Sequence, residues 1–95
     1  MTTMEREMYR VALWIPGITD RYVKGKPVKI NEFLDTFYYH DEEFGLFVIC
    51  ETKTGRSLGY GDTLKRAKAM ALQTINYRGL DACLRVMSGL EHLNP

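Results

Sequence analysis

Five consecutive residues, Leu46-Phe47-Val48-Ile49-Cys50, are apolar on both alternating faces. Successive side chains of a strand point to opposite sides of its sheet, so a half-exposed strand would alternate apolar with polar residues. The run therefore predicts a central strand covered on each side, and the rest of a 95-residue chain has to be arranged around it. A chain of this length buries roughly two thirds of its unfolded surface, enough for one modest core but not for a deep catalytic cleft. A single domain over residues 1–95 is expected.

The segments on either side supply the neighbours of that strand. Met8 to Ile15 is apolar and rich in strand formers, and Pro16-Gly17 stops it. Tyr22 to Ile30 alternates weakly, and its Gly25 and Pro27 suit an edge strand or an irregular return. Between Ile30 and Tyr39 two periods compete: Ile30, Phe33, Leu34 and Phe37 have helical spacing, whereas Phe33, Phe37 and Tyr39 share one face of a strand. The β-favouring Thr36-Phe37-Tyr38-Tyr39 and the acidic turn Asp41-Glu42-Glu43 favour a strand ending near His40. Downstream, Lys53-Thr54-Gly55-Arg56 makes a tight hairpin with Gly55 at positive φ, and Arg56 to Tyr60 returns.

Asp62 or Thr63 then caps a helix in which Leu64, Ala67, Ala71 and Ile75 fall at i, i+3, i+7 and i+11 as an inner stripe. Gly79 ends it, and Leu80, Cys83, Leu84, Met87 and Leu90 trace a second, shorter apolar face that frays near Gly89. The expected class is α+β: a small antiparallel sheet of about four to five strands, packed against one long C-terminal helix plus a short terminal helix.

The chemistry-bearing residues each have a plainer reading. His40-Asp41-Glu42-Glu43 would have to hold any metal or acid–base pair, but adjacent carboxylates on a turn ordinarily solvate a loop, so neither metal nor cofactor is expected. Cys50 lies among Val48 and Ile49 without a histidine placed to activate it, and Cys50 and Cys83 lack metal or disulfide spacing. Gly59-x-Gly61 before a helix lacks the further residues of a phosphate loop. Lys65, Arg66 and Lys68 line the first turns of the helix, the end at which the dipole disfavours cations. With 13 Lys+Arg against 12 Asp+Glu the formal charge is +1, which argues against a domain held to nucleic acid by long-range electrostatics. No window approaches a membrane span, and the expected compartment is the cytoplasm.

Residues 33 to 78, ending Gly61-Asp62-Thr63-Leu64-x-x-Ala67-x-x-x-Ala71, resemble the core of HicB-like antitoxins. In that family a small antiparallel sheet packs one helix, and a Gly-Asp-Thr-Leu stretch joins the two. The resemblance covers about half the chain. Glu51-Thr52-Lys53-Thr54-Gly55 replaces the family's Pro-Asp-Leu-Pro-Gly-like loop, and no DNA-binding domain follows Gly79, so operator binding is not implied. A partial second resemblance is to double-stranded RNA-binding domains, through Gly59-Tyr60-Gly61, Thr63, Lys65-Arg66 and Ala67-Lys68. It implies phosphate contacts from Lys65, Arg66 and Lys68, although Leu64 sits where that family has a basic residue. In size and type the chain also looks like phage-encoded inhibitors of bacterial defence, anti-CRISPR proteins among them.

These features converge on a non-enzymatic protein that occludes a nucleic-acid-processing partner by stoichiometric binding, antitoxin-like or anti-defence in type and acting in the host cytoplasm if phage-encoded. The expected partner surface joins Asp41, Glu42 and Glu43 to Tyr38 and Tyr39, at least one of which should point away from the core, with Trp14 and Tyr22 as a further aromatic surface. A homodimer is compatible with this reading. The alternative is an RNA-binding module using Lys65, Arg66 and Lys68.

Overall fold

The structure, a computed structural model, describes residues 8–12, 20–89 and 93–94. The apolar run forms the middle of β5 (Leu46–Glu51), which pairs antiparallel with β4 (Thr36–Asp41) on one side and β6 (Ser57–Gly61) on the other. With β3 (Lys26–Val28) at the edge these strands form a four-stranded sheet in the order β3-β4-β5-β6. β1 (Met8–Ala12) and β2 (Asp20–Lys24) form a separate two-stranded antiparallel ribbon. Two helices follow, α1 (Leu64–Arg78) and α2 (Leu80–Ser88). The class is α+β with antiparallel strands and two C-terminal helices, but the strands are divided between two sheets instead of sharing one.

The division answers the demand made by β5. Phe47 and Ile49 face a cluster that contains Leu34, Leu58, Ala67, Ala71, Ile75 and Cys83, on the helix side. Val48 and Cys50 face a second cluster with Tyr9, Val11, Phe37 and Tyr39, on the ribbon side. Phe37, Ile49, Ala67 and Ala71 have no exposed surface, and Cys50 only 1%. Tyr9 of the ribbon stacks on Phe37 of the sheet, with ring centroids 4.0 Å apart and planes 11° from parallel. Such a pair contributes about 0.5–1.5 kcal/mol beyond its area burial.

Gly25 joins ribbon to sheet, being the one residue between β2 and β3. A Cβ there would lie 2.8 Å from the Tyr38 carbonyl oxygen and 3.1 Å from the Tyr9 ring, so the chain passes from one layer to the other where no side chain fits. The weak alternation of Tyr22 to Ile30 thus belongs to two strands, and Pro27 sits in the edge strand β3, where its missing N–H is tolerated. The ambiguous stretch before β4 is neither helix nor strand up to Asp35; the strand begins at Thr36.

Close packing of β6 on α1 accounts for Gly59-x-Gly61. A Cβ on Gly59 would lie 2.8 Å from Ala71 Cα, and one on Gly61 would lie 2.7 Å from Ala67 N. Glycines on the strand and alanines on the helix let the two backbones approach directly. Opposite Ile49 and Cys50 a bulge inserts Leu58, which turns into the helix-side core at 7% exposure. Thr63 caps α1 by accepting from Arg66 N at 3.1 Å. Gly79, at φ 85, ends that helix and opens α2.

Candidate functional site

β4 ends at Asp41, which pairs in register with Leu46 across the turn. The Asp41 carboxylate oxygen Oδ1 accepts from Glu43 N at 3.0 Å and Phe44 N at 3.3 Å, so the side chain is committed to shaping the turn. Gly45, at φ 65, completes it. Glu42 and Glu43 are exposed, and between them and Gly45 stands Phe44, 70% exposed. Phe44 was not expected in the surface. Its signal in the sequence is an aromatic inside a polar turn, a position at which no core can receive it.

The two tyrosines expected beside this turn do not extend the patch. Tyr38 packs against the helix-side cluster and Tyr39 against the ribbon-side cluster, each half-buried. Strand alternation does send them to opposite faces, but both faces are covered, so neither points away from the core. His40 lies edge-on to Phe47, with centroids 4.8 Å apart. Among the described residues no three His, Cys, Asp or Glu converge as metal ligands.

The basic residues of α1 lie at the same end of the sheet. Gly61 pairs with Phe47, one residue beyond the start of β5, so the loop that enters α1 emerges beside the acidic turn. Lys65 and Arg66 are exposed, and Lys68 is half-buried. Arg66 is engaged locally: its Nη1 lies 3.0 Å from both carboxylate oxygens of Asp62. With side chains 72% and 60% exposed, this pair contributes little to stability. The three cations are therefore not an equivalent row of phosphate donors.

Tyr22, on the ribbon, is 65% exposed, and the Arg10 guanidinium carbon lies 5.8 Å from its ring centroid, consistent with their opposition in the β1–β2 register. Trp14 lies outside the described residues. Tyr60 and Tyr77 are also exposed, at 53% and 92%. Cys50 is sealed in the ribbon-side core, where burial and, second to it, the neighbouring Glu51 push its thiol up to about 12. A thiol so protonated is no nucleophile at neutral pH.

Beyond the positions expected, Asn94 is buried at 6% and saturated with hydrogen bonds. Its Oδ1 accepts from Arg10 N at 2.8 Å, and its Nδ2 donates to Arg10 O at 2.8 Å and Thr52 O at 2.7 Å. The ribbon is thereby clasped to the β5–β6 hairpin by a residue that carries no sequence signal beyond being an amide. Among the described residues no helix is long and apolar enough to cross a membrane. No family model, curated protein or solved structure matches the chain.

Proposed function

We propose that the protein acts by stoichiometric binding, with the β4–β5 turn as the contact that occludes the basic groove of a nucleic-acid-processing protein partner. The observation that carries this reading is Phe44, 70% exposed on a turn whose backbone is pinned by Asp41 and whose neighbours are the exposed Glu42 and Glu43. An aromatic held out in water on an ordered turn gains on burial and loses little freedom, the property of a binding hot spot. Flanking carboxylates steer it toward positive potential. The resemblance of residues 33–78 to HicB-like antitoxins, and of the whole to phage anti-defence inhibitors, supports a role in the cytoplasm of the cell whose enzyme it would restrain.

A second reading, an RNA-binding module, is favoured by the first turn of α1, which carries Lys65 and Arg66 and no acid. The Arg66–Asp62 pair and the half-burial of Lys68 weaken it.

Pull-down followed by binding kinetics tests the first reading. Glu42→Lys with Glu43→Lys is expected to slow association, and Phe44→Ala to raise dissociation at least about tenfold, with circular dichroism unchanged. Asp41 is left in place, because reversing it would unmake the turn. Wild-type kinetics in all these variants would remove the proposal. A gel shift on duplex RNA that weakens with salt and with Lys65→Ala plus Lys68→Ala would establish the second reading instead.

A further inference from the structure

The opposite end of the central hairpin carries a second surface. β4 is six residues long, roughly 20 Å, so the segment 31–35 that precedes it lies far from the turn at 42–45. There Glu32, Phe33 and Asp35 face Leu84 and Met87 of α2 across a groove of about 280 Å³, with Lys53 on its border.

The ridge that bears Phe33 is ordered. Asn31 Oδ1 accepts from both Phe33 N and Leu34 N at 2.9 Å, Leu34 is buried in the helix-side core, and Thr52 N donates to Asp35 O at 2.8 Å. Phe33 nevertheless remains 65% exposed. Opposite it, α2 buries Cys83 while Leu84 stays 36% exposed and Met87 half-buried, so the apolar face of the helix is only partly used. The groove is also charged. Glu32 and Asp35, both exposed, line it with Lys53 as the lining cation among the described residues, while Glu51 is buried, its carboxylate oxygens accepting from Lys53 N at 2.8 Å and Thr54 N at 3.0 Å.

We infer that this groove docks a short segment of a partner protein in which a large aliphatic side chain is flanked by arginine or lysine. The aliphatic group packs between Phe33, Leu84 and Met87, and the cation meets Glu32 and Asp35. The charge balance selects this occupant: an acidic segment or a phosphate backbone would meet the like charges of Glu32 and Asp35, and a purely apolar one would gain nothing from them. The site is independent of the β4–β5 turn, and each can fail without the other.

A random-peptide phage library panned on the full chain tests it, with a Leu84→Asp variant as counter-selection. The selected peptides are expected to carry Leu, Ile, Met or Phe next to Arg or Lys. A fluorescein-labelled copy of the consensus should lose affinity about tenfold with Phe33→Ala and several-fold with Glu32→Gln plus Asp35→Asn, and weaken with salt. Binding should be unchanged in Glu42→Lys plus Glu43→Lys. Phe33 is mostly exposed, so its truncation leaves the fold intact, as circular dichroism would verify. No enrichment over the counter-selection, a consensus without a cation, or affinity indifferent to Phe33→Ala would overturn the inference. So would sedimentation showing a dimer that Phe33→Ala dissolves, which would assign the groove to a second copy of the chain.

Discussion

Two buried polar or ionisable side chains show how much one residue decides here. Asn94 satisfies the backbone of Arg10 and Thr52 from three directions, and Asn94→Ala would remove three hydrogen bonds and leave their partners in a protected place. Urea denaturation should show a loss of about 2–4 kcal/mol, and Asn94→Asp should do no better, because a carboxylate cannot donate to the two carbonyls. Cys50 is governed by burial. Its thiol, ordinarily near 9, is raised to about 12, so between those values the unfolded chain releases a proton that the folded chain keeps. The stability this group contributes is present in full below pH 9 and is lost as pH rises toward 12. Melting temperature should therefore fall more steeply over that window in the wild type than in Cys50→Ala, and equal slopes would contradict the burial. At neutral pH iodoacetamide should reach Cys50 only after denaturant is added.

At the scale of elements, the junction of β6 with α1 is the most constrained contact. Gly59→Ala would drive a methyl group against the backbone of Ala71, which cannot yield as a flexible side chain does. A loss of several kcal/mol is expected in thermal melts. Gly89→Ala is the control, since its nearest neighbour would lie at 3.6 Å and its φ of −90 suits any residue; it should change stability by no more than about 1 kcal/mol. This junction also explains why Gly-x-Gly before a helix is so easily misread. The same spacing serves a phosphate loop and a strand that must let a helix in, and the alanines four residues apart on α1 distinguish them.

Across the whole molecule, two hydrophobic clusters share β4 and β5 as a common wall. Damage to either layer should therefore weaken one cooperative transition instead of creating a second. Val11→Ala on the ribbon side and Ile75→Ala on the helix side are each expected to cost about 1–4 kcal/mol and to add in the double variant, because they touch opposite faces of the sheet. Far-ultraviolet and near-ultraviolet circular dichroism should report the same midpoint throughout; separate midpoints would show that the layers unfold independently. The same architecture segregates charge, bringing the acidic turn and the basic start of α1 to one end and the Glu32–Asp35 ridge to the other.

Local chemistry made much of this legible in the chain itself. Leu46 to Cys50 required cover on both faces, Gly55 required its positive φ, observed at 70, and a cap at Asp62 or Thr63, which the structure resolves to Thr63, with the Leu64-Ala67-Ala71-Ile75 stripe defined a capped helix and its inner side. These depend on near neighbours, whose spacing is written in the sequence. What covers the second face of β5 was decided only in three dimensions, because nothing local says that the strand from Met8 belongs to a separate ribbon stacked through Tyr9 on Phe37. Packing against the ribbon-side cluster half-buries Tyr39, and packing against the helix side half-buries Tyr38, while Phe33 and Phe44 are left exposed on turns held by Asn31 and Asp41. Exposure is a property of what else arrives at a place, and for a side chain on a sheet with two covered faces the alternation of the strand cannot supply it.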